Sequence, residues 1–274
     1  MVQIRQIMDW LDSWAPFRYA QSWDNSGLQV GSPGAFTERV LIALDPGSEV
    51  VDEAVRLGCG CLVTHHPLLF RPIAALRTDV WPGSVIARAV LSGVNIIAVH
   101  TNLDAARGGT NAQLQAMLGL ENIEPLEAEP AFCEEAGYLG IGLTGTLPVK
   151  LPVGSLAVQL SRGLGCIDIR MTGDPDKPVS RAAICTGSGA SLIGKVLESG
   201  SEVFITGDIK YHDAKLAEES GLALIDVGHY ASEKLILKPI AERLESKARS
   251  EGAVLDIFIA KSEKDPFSVI VGKC

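Results

Sequence analysis

One order of strands and helices is written twice into this chain, and that repetition constrains its fold more than any other feature. Residues 40–44 (VLIAL) are an apolar run ending at Asp45-Pro46-Gly47, the pattern of a buried strand stopped by a turn. An amphipathic helix follows to Leu57, with Val51, Ala54 and Val55 inward and Gly58 at its end. Next come a strand over 61–64, the sequence His65-His66-Pro67, a helix from Pro82 to about residue 92, and a strand over 95–99 leading into His100. Residues 182–186 repeat 40–44 at a distance of 142 positions; Gly200 then matches Gly58, and Ile205-Thr206 matches Val63-Thr64. Residues 220–227 match 92–99 at a distance of 128, and the difference of 14 is about the length of the loop over 71–84. The second copy lacks that loop. Strand–helix alternation in each copy predicts an α/β protein of two related halves, free to intertwine, with mainly parallel sheets flanked by helices.

Around this frame, Ile4, Ile7, Met8 and Leu11 have the spacing of an opening amphipathic helix, and Asp24-Asn25-Ser26-Gly27 reads as a turn before a short apolar stretch to Gly31. The segment 124–178 is different: Gly137, Gly140, Gly142 and Gly145 alternate with apolar residues, followed by a helix over 155–164, a strand-like run over 166–171 and a turn at Gly173-Asp174-Pro175. A helix over 232–248 and a strand over 253–260 close the chain and can complete either half. The expected division is residues 1–125 for the first half and 126–274 for the second.

With 47% apolar and 21% charged residues among 274, the chain has ample core material, which excludes disordered and collagen-like classes. Its 33 acidic residues outnumber 24 basic ones, a formal charge of −9 that argues against nucleic acid or anionic membrane as the main partner. No window approaches the roughly 20 apolar residues of a spanning helix. The first sixteen residues carry Arg5, Asp9 and Asp12, unlike a signal peptide, so a cytoplasmic location is expected. Six cysteines (59, 61, 133, 166, 185 and 274) show no repeated spacing and read as reduced thiols.

The ligand crevice of an open α/β sheet lies beyond the carboxyl ends of its parallel strands. That rule selects His65 and His66 after one strand, His100 and Asp104 after another, and His229 and Glu233 after the matching strand of the second copy. Four of the five histidines thus fall at strand ends, an arrangement that core histidines would not produce. His65 and His66, adjacent in an extended chain, are expected to point to opposite sides, one imidazole for each of two metals. His229 and Glu233 are spaced for one helical face, unless Ser232 is the N-cap; a Glu carboxylate can bridge two cations, which makes Glu233 the bridging candidate. Three neutral imidazoles and two carboxylates carry −2, offsetting two divalent cations only partly and leaving open positions for metal-activated hydroxide. Mixed N/O ligation suits Zn, Mn, Fe or Co better than Ca.

These residues, in this order, resemble the Nif-three-like family of dinuclear-metal proteins, also called GTP cyclohydrolase 1 type 2 homologs. The likeness spans essentially the whole chain. It runs through Trp23-Asp24-Asn25-Ser26-Gly27-Leu28-Gln29-Val30-Gly31, Thr64-His65-His66-Pro67, His100-Thr101-Asn102-Leu103-Asp104, Thr206-Gly207-Asp208 with Tyr211-His212, and Gly228-His229 with Glu233. The resemblance implies metal ligation by His65, His66, Asp104, His229 and Glu233, and a ring-shaped homohexamer with sites facing an inner cavity. It also implies a dinuclear metal-dependent hydrolase that opens the guanine imidazole ring of GTP, or acts on a related small molecule, with His100 a candidate for proton transfer or support of a ligand. Gly228 stands at the place of His100 in the second copy, so the fold itself does not require that histidine.

Other signals weigh less. Gly189 to Lys195 fits GxxxxGK, but Val196 stands where a P-loop needs Ser or Thr. Gly187-Ser188-Gly189 can hold an anion through backbone N–H groups or be a tight turn. Cys59 and Cys61 near His65 lack zinc-site spacing. His212, Asp24 and Asn25 each fit both a site-facing and a surface or turn role. Two other functions compete with the hydrolase: a metal-dependent phosphoesterase, and a non-enzymatic hexameric metal-binding scaffold.

Overall fold

The computed structural model describes residues 1–166 and 168–270. Up to residue 106 the elements are β1 (Val2–Gln3), α1 (Ile4–Asp12), β2 (Gly27–Val30), β3 (Phe36–Thr37), β4 (Arg39–Ala43), α2 (Ser48–Leu57), β5 (Cys61–Thr64), α3 (Gly83–Leu91), β6 (Asn95–Ala98) and α4 (Thr101–Asp104). There follow α5 (Thr110–Leu118), β7 (Glu121–Glu127), β8 (Ile141–Pro152), α6 (Val153–Leu164), β9 (Arg170–Thr172), β10 (Pro178–Ser188), α7 (Ile193–Glu198), β11 (Val203–Gly207), α8 (Tyr211–Glu219), β12 (Ala223–Asp226) and α9 (His229–Glu233). The chain closes with α10 (Leu237–Ser250) and β13 (Asp256–Ile259). It forms two compact units: residues 1–106 with 236–264, and residues 107–235 with 265–274. The C-terminal helix and strand therefore belong with the first unit, and α5 and β7 with the second.

The first unit carries a five-stranded sheet in the order β13-β4-β5-β6-β2, parallel except for β2 against β6. Alternate residues of β4 serve opposite faces. Leu41 and Ala43 enter a core with Leu62 and Ile96 beneath Val51 and Ala54 of α2 and Val85 and Ala89 of α3. On the other side α10 packs on β4 and β13, and α1 packs on α10. Val40, Leu41, Ile42 and Ala43 have no solvent exposure, and each large one contributes about 1.5–3 kcal/mol by leaving water.

The second unit carries six strands in the order β7-β8-β10-β11-β12-β9; β10, β11 and β12 are parallel, and the flanking strands run antiparallel. Ala182, Ile184, Val203 and Ile205 face a core with Leu156, Leu160 and Leu164 of α6, while Ala183 and Phe204 face Ile193 and Val196 of α7 and Ala217 of α8. The strand expected over 166–171 is shorter and later, at Arg170–Thr172. Cys166 is held instead to the end of α6, where its carbonyl accepts the Ser161 hydroxyl, and Ile167 lies outside the described residues.

Sheet register confirms the duplication. Val40 pairs with Cys61, Leu41 with Leu62 and Ile42 with Val63; Ala182 pairs with Val203, Ala183 with Phe204 and Ile184 with Ile205, every partner displaced by 142. Cys61 pairs with Asn95 and Val203 with Ala223, and Asn95 and Ala223 are related by 128. No helix among the described residues is long and apolar enough to cross a membrane.

Candidate metal centre

In the first unit the ladder continues one step past β5. His65 N donates to Ala43 O at 3.2 Å and His66 N to Leu44 O at 2.8 Å, which fixes both residues at the carboxyl end of the sheet. They do not point to opposite sides as expected. The strand ends at Thr64 and the chain bends through His65-His66, so strict alternation no longer applies, and their rings lie 5.0 Å apart at 45°. His100, just before α4, joins them at 5.2 Å from the His65 ring and 5.6 Å from that of His66. Ligand atoms of these three imidazoles lie within 4.8 Å of one another. Asp104, at the end of α4, places Oδ1 3.6 Å from His65 Nε2.

Each imidazole is oriented through Nδ1. His65, fully buried, meets Val99 O at 2.8 Å; His66 meets Asp45 Oδ1 at 2.9 Å; His100 meets Asp24 Oδ1 at 2.8 Å. The Asp24 side chain is enclosed and also accepts Thr101 N, the Thr101 hydroxyl and the Ser26 hydroxyl on Oδ2. Burial alone would raise its pKa, but hydrogen bonding and charge at His100, with Thr101 and Ser26, outweigh burial and hold the carboxyl well below the usual carboxylate range. Asp45 is anchored in turn, since Leu44 N and Asp45 N donate to the Glu263 carboxylate at 2.9 and 2.6 Å.

The second unit repeats the device. His229 opens α9, with Gly228 rather than Ser232 at its cap, so His229 and Glu233 share one helical face. His229 Nδ1 meets Asp208 Oδ2 at 2.7 Å, and His229 Nε2 lies 3.0 Å from Glu233 Oε2. Asp208 occupies the left-handed region, φ 57°, rarely adopted by residues with a Cβ. Asp226 ties the two loops together by accepting Gly228 N and Ile209 N, and it pairs with Arg170. The Glu233 carboxylate sits over Gly187, where an added Cβ would stand 2.2 Å from Oε1 and 3.3 Å from His229 Nε2.

The remaining signals resolve simply. Gly187 N donates to Ser232 Oγ and Gly189 N to Thr206 Oγ1, so those two N–H groups are already committed and the tight-turn role holds. Lys195 lies inside α7 with Nζ on Glu127 Oε2 at 2.8 Å. Cys59 and Cys61 are buried and free of disulfides; burial pushes the Cys59 thiol up to about 11 and raises Cys61 further, opposite to what a thiolate ligand needs. Cys274 lies outside the described residues. His212 is exposed on the first turn of α8 beside Tyr211. Asp24, besides forming the turn, contacts His100. Asp45 and Asp208, which orient His66 and His229, were missed by the sequence reading. Their signal was the same strand-end rule, because each follows a parallel strand.

Comparison with known proteins gives a full-length family match. A family model described as Duf34/NIF3 (NGG1p interacting factor 3) covers residues 2–266. Proteins named GTP cyclohydrolase 1 type 2 homolog are similar over nearly the full length. The one from Streptomyces coelicolor is 33% identical, with 99% of this chain and 95% of that protein covered. The one from Clostridium perfringens is 31% identical, with 98% and 100% covered. Among solved structures, a Bacillus cereus protein related to NIF3 superposes with a TM-score of 0.91 at 25% identity, covering 98% of this chain and 99% of that one. Reduced HcgD from Methanocaldococcus jannaschii gives 0.77 at 27%, covering 95% and 98%. From the motifs, the repeated sheet and this full-length match, the chain belongs to the Duf34/NIF3 family.

Proposed function

We propose that the chain is a metal-dependent hydrolase in which His65, His66, Asp104, His229 and Glu233 hold two divalent cations, with a nucleotide or related small molecule as substrate. The observation that carries this reading is the common orientation of four imidazoles. Each Nδ1 faces a carbonyl or carboxylate oxygen, groups that accept and do not donate, so the ring proton resides on Nδ1 and Nε2 carries the lone pair, the form in which imidazole ligates a cation.

The residues fit a metal in two further respects. His229 Nε2 and Glu233 Oε2 are two lone-pair atoms 3.0 Å apart, and His65 Nε2 and Asp104 Oδ1 are 3.6 Å apart. Two donors on one tetrahedral cation stand about 3.4 Å apart. Gly187, without a Cβ, leaves the space that the Glu233 carboxylate uses. The joining of both clusters in one centre rests on the motif resemblance, as does the ring hexamer, and the mixed donors favour Zn, Mn, Fe or Co.

When bound, a divalent pair supplies a Lewis acid and brings the pKa of water toward neutrality. The chain's own residues divide the remaining work. Asp24, held ionised, fixes the His100 proton on Nδ1, so His100 Nε2 is the atom placed to accept a proton. Asp45 and Asp208 lock His66 and His229 in the ligating tautomer. Glu233 bridges.

Metal-loaded protein incubated with GTP tests the activity. Formate release is expected; inorganic phosphate would assign a phosphoesterase, and neither product across a nucleotide panel would leave a metal-binding scaffold. Glu233→Gln tests the site: metal content that stays at two per chain refutes the bridging role.

A further inference from the structure

Two aromatic side chains beside His100 take no part in the metal assignment. Trp23 is 58% exposed and Phe70 45% exposed. Their rings meet edge to face, with centroids 5.8 Å apart at 67°, and they stand 6.1 and 6.2 Å from the His100 ring. Rings this exposed gain little from burial. Nor are they loose. Asn25 Nδ2 donates to Leu69 O at 2.7 Å, Leu69 N donates to Gln29 Oε1 at 3.2 Å, and Gln29 Nε2 donates to Asn25 O at 2.6 Å. Asn25 N also donates to Asp24 Oδ1 at 2.7 Å, the carboxylate that orients His100. These bonds fasten the Trp23 loop to the Phe70 loop and to His100, so the corner exists before any ligand arrives and costs little ordering on binding.

We propose that Trp23 and Phe70 form a stacking platform for a planar heteroaromatic ring of nucleobase size, holding that part of the substrate beside His100. An edge-to-face pair offers a flat ligand the face of one ring and the edge of the other, a match that an aliphatic or sugar group cannot make as well. The proposal rests on the hydrolase reading for its neighbouring chemistry and adds to it the residues that hold the base of the substrate. It also gives Asn25 and Gln29 a role, as positioning residues that brace the corner.

Equilibrium dialysis of the metal-loaded full chain with guanosine, and with ribose as the sugar-only control, tests it. Guanosine is retained and ribose is not. Trp23→Phe stays within about threefold of the parent, and Trp23→Ala and Phe70→Ala weaken guanosine by about tenfold, the usual size of one base–aromatic stack. Metal content, measured on the same samples, remains that of the parent. The proposal is overturned if guanosine is not retained by the parent, if ribose is retained equally, or if Trp23→Ala leaves guanosine binding intact. Loss of subunit association in Trp23→Ala with guanosine binding intact also overturns it, assigning the pair to a contact between copies. Guanosine bound through Trp23 by a metal-loaded chain that releases neither formate nor phosphate from GTP sinks the hydrolase reading and leaves the platform standing.

Discussion

Gly187→Ala tests the geometry beneath Glu233. Gly187 has φ +69°, and an added Cβ would stand 2.2 Å from Glu233 Oε1, 3.1 Å from its Cδ and 3.3 Å from His229 Nε2. Gly187 cannot retreat freely, because its N–H is bonded to Ser232 Oγ at 2.9 Å on the same helix. Placing alanine in the left-handed region costs about 1–2 kcal/mol, and forcing a filled site to rearrange costs about 1–3 more. A loss of roughly 2–5 kcal/mol lowers Tm by about 4–15 °C in a protein of this size. Gly200→Ala separates the two contributions, since Gly200 has φ +70° with nothing within 4 Å of its Cβ position. It should show only the smaller loss and bind metal normally. Thermal unfolding with chelator gives the stability change; metal titration of Gly187→Ala should show affinity weakened at least tenfold, as Glu233 is pushed aside. Equal stability losses in the two variants, with metal binding intact in both, would refute the claim that Glu233 depends on the missing Cβ.

Two further outcomes are expected. Asp208→Gly removes a strained left-handed residue together with the acceptor for His229, so the metal-free protein should keep its stability or gain about 1 kcal/mol while metal affinity falls roughly 10–100-fold; a destabilised variant with normal affinity contradicts this. Glu202 accepts Ser180 N–H, which most strongly lowers its pKa; burial opposes, and Arg181 N–H and the Ser180 hydroxyl add to the lowering. A carboxyl with a folded pKa below its ordinary 4.5 contributes stability that is present above about 4.5 and is lost as pH falls through the folded value. Glu202→Gln should therefore flatten the acid limb of stability against pH, and an unchanged limb in denaturant titrations would dismiss the assignment.

The central parallel strands were legible because they are short apolar runs punctuated by glycine, and because the duplication supplied each one twice. The strand β7 was not. Its sequence, ENIEPLE, is rich in charge and carries Pro125, which reads as loop; it is an edge strand, where charge and proline are tolerated. That His65, His66 and His100 come together was legible from their position at strand ends alone. The acceptors of the histidines were not, because Asp24 reaches His100 across 76 positions and Asp208 reaches His229 across 21, pairings that local periodicity does not encode. The opposite-facing expectation for His65 and His66 failed for a related reason: alternation holds only within a strand, and the strand stops one residue earlier.

The place of β13 beside β4 has a consequence for synthesis. Residues 107–235, the main body of the second unit, are contiguous and can fold as they emerge from the ribosome. The first unit needs residues 236–264, so β4 waits as an unpaired edge, and Asp45 waits for Glu263, until almost the whole chain has been made. The unit whose first strands emerge earliest thus stays incomplete until the whole of residues 107–235 has been made.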